Sequence, residues 1–191
     1  PIGSFYVNAA DIRTGDGKAN MFFAFDRASK LAFGKLYESS DVDNGPAFLE
    51  TLKQATPYAI ESVLTGDSPL FSHKPTPEIV NATKTREHLF AKACRQHGIG
   101  HEILPFDQPW RIHRQDRRIS GPAGSSDRKF HYQSHNHLQE HFFAFFDTYN
   151  FERRLKTLGG LTPYEYICDR WAAQPGLFRY NPVENRPRHA D

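Results

Sequence analysis

The sequence predicts an α/β fold built on a mixed sheet. Three observations carry that expectation. Aromatic and β-branched residues crowd the first forty positions in short runs separated by polar, Gly-containing turns, as in an antiparallel meander. Beyond Tyr37 the pattern alternates between helical spacing and short apolar runs. The C-terminal third is dominated by helical periodicity, with Leu138, Phe142, Phe145 and Tyr149 recurring on one face. The order is therefore three strands, helix, strand, helix, strand, helices.

Each element has a local reason. Ser4 to Ile12 opens as a strand, and the stretch from Arg13 to Asn20 is a turn in which Gly15 and Gly17 supply conformational freedom. Met21 to Tyr37 reads as two apolar strands broken at the polar Asp26–Lys30 turn, which makes Asp26 a turn residue. Asp43 or Asn44 is expected to cap a helix whose inward positions are Phe48, Leu49 and Leu52. Tyr58 to Thr65 reads as a buried strand. A helix follows from about Thr85 to His97, ended by Gly98, and Ile99 to Leu104 forms a fifth strand. Pro105 to Gly124 has no clean period. Ser134 precedes the strong helix, and Gly159 to Trp171 contains a full helix start: Thr162 as cap, Pro163 in the first position and Glu165 three residues after the cap. From Gln174 onward the chain is rich in Pro, Arg and Asn and is expected to be extended. The predicted division is a core at 1–173 and a tail at 174–191.

Composition excludes several classes. An apolar supply that includes 16 Phe argues against disorder. The longest apolar run, Met21 to Phe25, is far too short to span a bilayer, and no signal peptide opens the chain. The chain starts at Pro1, as a piece of a longer protein would. Cys94 and Cys168 do not make a disulfide framework and are expected as buried thiols in a reducing cytoplasm. A formal charge of +2 does not by itself announce nucleic-acid binding, so charge distribution must carry that argument. Arg111, Arg114, Arg117, Arg118, Arg128 and Lys129 form the cluster suited to a DNA backbone, and Arg153, Arg154 and Lys156 form a smaller patch.

The segment from Phe130 to Trp171 closely resembles the end of the integrase core in bacterial insertion-sequence transposases of the DDE type. The resemblance rests on Tyr149–Asn150, then Arg153 or Arg154, then Gly160-Leu161-Thr162-Pro163 ahead of a last helix. It extends upstream through "FAFDRASKLAFGKLY", "SVLTGDSPLF" and "CRQHGIGHEILPFDQPW" and covers about residues 4 to 171. It implies a ribonuclease-H-like five-stranded mixed sheet flanked by helices, with strands four and five parallel to the first. It also implies DNA transposition through two Mg²⁺ ions held by three carboxylates, with DNA as the partner.

All three carboxylate positions depart from that pattern. The first falls on Asn8, a neutral amide; Asp11, three residues on, belongs to the opposite sheet face. The second falls on Gly66, with Asp67 one residue late. The third falls on Asp116, one methylene shorter than the family's Glu and beside Arg117 and Arg118. Too few anions leave two metals undercompensated, so the expectation is an impaired core, or a non-enzymatic DNA-binding or assembly module. A rival motif is His137-Leu138-Gln139-Glu140-His141, the spacing of an inverted zinc peptidase, with Glu152, Glu165 or Glu184 as third ligand. The Phe stripe at 142, 143, 145 and 146 is broader than one core face needs, which suggests a self-contact.

Overall fold

The computed structural model describes residues 1–72, 87–104 and 132–186. Five strands form one sheet in the order β3-β2-β1-β4-β5: β1 Ser4–Thr14, β2 Gly17–Asp26, β3 Ala32–Tyr37, β4 Ser62–Gly66 and β5 Gly100–Leu104. The first three are antiparallel neighbours, and β4 and β5 run parallel to β1. The first hairpin is tighter than the sequence suggested. Its ladder runs to Thr14–Gly17, so only Gly15 and Asp16 make the turn. The fourth strand is shorter than expected and starts at Ser62. The residues before it are held differently: Tyr58 is bridged to Phe178, and the Glu61 and Ser62 N–H groups both donate to Gly3 O.

Strand alternation divides the core in two. One face carries Phe5, Val7, Phe22, Ala24 and Val63, and is covered by helices α1 (Asn44–Ala55) and α2 (Leu89–Gln96). The other carries Tyr6, Met21, Phe23, Phe25 and Leu64, and is covered by α3 (His135–Phe151). β1 from Phe5 to Val7 and β2 from Ala19 to Asp26 are thus buried on both faces, which is why those stretches read as nearly continuous apolar runs. A last helix, α4 (Pro163–Ala173), follows a short 3₁₀ turn at Lys156–Leu158.

Helix ends show where local chemistry was and was not sufficient. Thr162 accepts from the Glu165 N–H at 3.1 Å, and the Glu165 carboxylate accepts from the Thr162 N–H at 2.9 Å, a complete capping box. Ser134 accepts from the His137 N–H at the start of α3. Gly98, with φ +67°, ends α2 as expected. At α1 the expectation fails, because neither Asp43 nor Asn44 caps through its side chain. Asn44 is drawn away to donate to Ser39 O at 2.6 Å. The cap of α2 is an unexpected residue, the buried His88, whose Nδ1 accepts from the Phe90 N–H at 3.1 Å. Asp26 is a turn residue of an elaborate kind. It is fully buried and accepts from the N–H groups of Gly3, Ala28 and Ser29 at 2.7, 2.7 and 3.0 Å.

The inward face of α3 is Leu138, Phe142, Phe146, Tyr149 and Asn150; Phe146 takes the place expected for Phe145, which is half-buried. Gly34 on β3 makes room for it. A Cβ there would fall on the Phe146 ring and lie 2.7 Å from Met21 Cε. One turn later Asn150 meets the edge of the sheet. Its Oδ1 accepts from the Ala32 N–H at 2.9 Å and its Nδ2 donates to Ala32 O at 2.7 Å, so one side chain satisfies both outward groups of Ala32 at the start of the edge strand. The segment after α4, expected as an extended tail, is docked on the core as far as residue 186. Phe178 packs edge-on against Tyr58, Arg179 donates to Lys53 O and Thr56 O at the end of α1, and the Arg186 guanidinium lies 3.4 Å over the Phe151 ring.

Asn150→Ala removes both bonds and leaves a buried N–H and C=O without partners. It is expected to lower the unfolding free energy by about 2 to 4 kcal/mol. Urea denaturation at unchanged slope checks this; a loss under about 0.5 kcal/mol would show that the β3 edge is satisfied without Asn150.

Candidate active-site region

The β1–β4 ladder ends at the pair Val7–Thr65, and Asn8 and Gly66 are the next residue on each strand. Two of the positions picked from sequence therefore lie side by side where two adjacent parallel strands end their pairing. Alternation puts both on the α3 face, with Tyr6 and Leu64. Asp11 sits on the other side of β1, exposed, and accepts from Asn20 Nδ2 at 2.6 Å. Asp116 lies outside the described residues, as do Arg111, Arg114, Arg117, Arg118, Arg128 and Lys129.

The donors at this corner are poor. Asn8 is half-buried and its Oδ1 already accepts from the Ala9 N–H at 2.9 Å, just where the ladder to β4 has stopped. Gly66 offers no side chain, and the fold does not impose that choice. Its φ is not positive, and a Cβ built there meets nothing within 4 Å. Asp67 is exposed and turned into its own loop, where Oδ1 accepts from Ser72 Oγ at 2.8 Å. Among the described residues no three His, Cys, Asp or Glu are grouped to hold a metal. A two-metal Mg²⁺ centre needs several anionic oxygens from separate elements, and neither Asn8 nor Gly66 supplies one.

The corner has a buttress that the sequence did not reveal. Thr65 is completely buried, and its Oγ1 lies 2.9 Å from His101 Nε2 on β5. Phe90 packs edge-on against the same imidazole, at 5.0 Å between ring centroids. His88 ties in the following turn, since its Nε2–H donates to Pro69 O at 3.0 Å. The end of β4 is thus fixed from β5 and α2. A lone His in a short strand gave no signal of this.

The remaining candidates resolve as follows. Arg154 forks onto the Glu165 carboxylate at 3.2 Å through both terminal nitrogens and donates to Gly160 O, so it braces the α3–α4 connection. Arg153 lies 5.9 Å over the Tyr149 ring. His137, Glu140 and His141 are exposed on the first turns of α3. Glu165 is committed to its cap and to Arg154, and neither it nor Glu152 is grouped with the two histidines as a third ligand. A zinc-peptidase centre is not assembled from the described residues. Cys94 is buried and Cys168 half-buried, and both are free.

No protein-family model matches this chain, and no curated protein does. Solved structures do. A chain of the simian T-cell lymphotropic virus intasome, in complex with the PP2A regulatory subunit B56 gamma, superposes with a TM-score of 0.62 at 13% identity over 87% of this chain and 54% of that one. The BIV integrase catalytic core domain gives 0.58 at 14% identity, over 91% of this chain and 98% of that one. The fold is that of an integrase catalytic core. The HTLV-2 integrase core in complex with magnesium, in its dimeric form, gives 0.55 at 12% identity over 87% and 96% of the two chains. This ribonuclease-H-like core spans about half the length of the intasome chain. At these identities the likeness is one of fold. Among the described residues no helix is long and apolar enough to cross a membrane.

Burial pushes the His101 imidazole below its ordinary value of 6.5, and nearby His88 pushes the same way. The unfolded chain then binds that proton more tightly than the folded one. The stability owed to the neutral ring is present above about pH 6.5 and lost as pH falls toward the depressed folded value. Denaturation midpoints measured from pH 7 down to about 5 are expected to fall in the wild type and to flatten in His101→Gln; an equal fall in both would assign the acid response elsewhere.

Proposed function

We propose that this chain is the core of a DNA transposase or integrase of the bacterial insertion-sequence type whose metal centre has decayed while DNA engagement remains. One observation carries the reading. At the corner where β1 and β4 part, an amide (Asn8) and a residue without a side chain (Gly66) stand where the resemblance implies two carboxylates. A neutral amide cannot offset cation charge as a carboxylate does, and the Asp67 carboxylate is engaged by Ser72. The shortened acid Asp116 is the remaining member of the proposed site.

The motif behind the bacterial comparison supports this reading, because three of its residues, Asn150, Arg154 and Thr162, have mechanical roles in this fold. Asn150 pairs with Ala32 at the sheet edge, Arg154 braces the connection, and Thr162 and Glu165 start α4. What is retained is therefore the scaffold, and what has changed is the carboxylate corner. Such a core does not activate water or a 3′-hydroxyl. Its proposed role is to hold DNA in an assembly, with Arg111, Arg114, Arg117, Arg118, Arg128 and Lys129 as the phosphate contacts. Phe143 and Phe145, half-buried beside the inward face of α3, are the proposed self-contact.

Fluorescence anisotropy on duplex DNA is expected to show binding that weakens at least tenfold between about 50 and 200 mM salt. The same preparation is expected to leave element-end DNA unnicked in Mg²⁺. Salt-insensitive or absent binding would remove the DNA role, and Mg²⁺-dependent strand transfer by the unmodified chain would overturn the decayed centre.

A further inference from the structure

The exposed histidine pair at the start of α3 has no part in the reading above. His137 and His141 are one helical turn apart, a spacing that places their Cβ atoms about 5 to 6 Å from each other. Both rings gather around one aromatic residue: the Tyr132 centroid lies 5.7 Å from the His137 ring and 5.6 Å from the His141 ring. The Tyr132 hydroxyl is 2.7 Å from His141 Nδ1. That contact engages one nitrogen and directs Nε2 away from the phenol. A metal-binding imidazole is ordinarily held this way, with one nitrogen on the ion and the other on a hydrogen-bonding partner.

The backbone beneath the pair is tied to a single hairpin. Tyr132 O accepts from the Gly15 N–H at 2.9 Å, and the Asp16 carboxylate accepts from the His135 N–H at 2.8 Å. Ser134 Oγ then accepts from the His137 N–H at 3.1 Å. Both the orienting tyrosine and the helix start are therefore referenced to the β1–β2 turn, so little ordering remains to be done on binding.

We propose that His137 and His141, oriented by Tyr132, form a surface site for one borderline-soft divalent cation of the Zn²⁺ class, with water completing the coordination shell. The two donors are nitrogens, which suit zinc, nickel or copper and not magnesium. No third protein ligand is grouped with them among the described residues, so water is assigned the remaining positions. It stands apart from the Asn8–Gly66 corner and does not depend on the transposase reading. Bound metal would staple the first two turns of α3.

The test uses the full chain without an affinity tag, stripped with chelator and titrated with zinc chloride in a calorimeter. One saturable ion per chain is expected, lost in His137→Gln and in His141→Gln and weakened about tenfold in Tyr132→Phe. Magnesium chloride is expected to give no saturable heat from this pair. Zinc is also expected to raise the melting temperature of the wild type and not that of the double histidine variant. Both histidines are exposed, and the far-ultraviolet circular dichroism of the double variant is expected to match the wild type. Saturable zinc binding that persists unchanged in the double variant would overturn the proposal, and so would its absence from the wild type.

Discussion

β1 carries two ladders at once, and the rest of the molecule is arranged around that. Along one edge it pairs antiparallel with β2 from Phe5–Asp26 to Thr14–Gly17, and along the other it pairs parallel with β4 from Ser4–Ser62 to Val7–Thr65. The two ladders differ in length. Beyond Val7 the strand continues against β2 alone, and the first free position on the parallel side is Asn8. The candidate site is thus a consequence of pairing. A parallel strand that stops early leaves a corner open to side chains from both strands, beside the helix that covers the same face.

Closing such a sheet requires two further devices. β1 and β2 need apolar residues on both faces, which Phe22 and Ala24 supply on one side and Met21, Phe23 and Phe25 on the other. At the β3 edge the Ala32 N–H and C=O need partners without another strand, and Asn150 supplies them from a helix. Gly34 lets α3 come close enough to reach, so two residues far apart in sequence act as one constraint. The Tyr149–Asn150 and Gly160–Pro163 signature that marked the resemblance is therefore legible as packing mechanics rather than chemistry.

The sequence revealed the architecture best where local and tertiary demands agree. The Thr162 capping box and the Gly98 stop need only neighbouring residues to form, and at the Asp26–Lys30 break the local bonds to Ala28 and Ser29 agree with the distant one to Gly3. It misled where distant partners compete. Asn44 was drawn to Ser39 O, Phe146 displaced Phe145 because Gly34 opens a slot under it, and the tail after α4 was captured by Tyr58 and the end of α1. Of the candidate site, the pairing of Asn8 with Gly66 was legible through strand order and spacing. The Thr65–His101 buttress and the Asp67–Ser72 bond were not, since each depends on where a short strand or loop ends in space.

We propose that the corner between β1 and β4 does not hold divalent metal although the fold around it is intact. Amide resonances followed during titration with Mn²⁺, which mimics Mg²⁺ and broadens nearby nuclei, report on it residue by residue. No saturable broadening is expected at Asn8, Ala9, Gly66 or Asp67. Saturable broadening centred on those residues and abolished by Asn8→Ala would contradict the proposal.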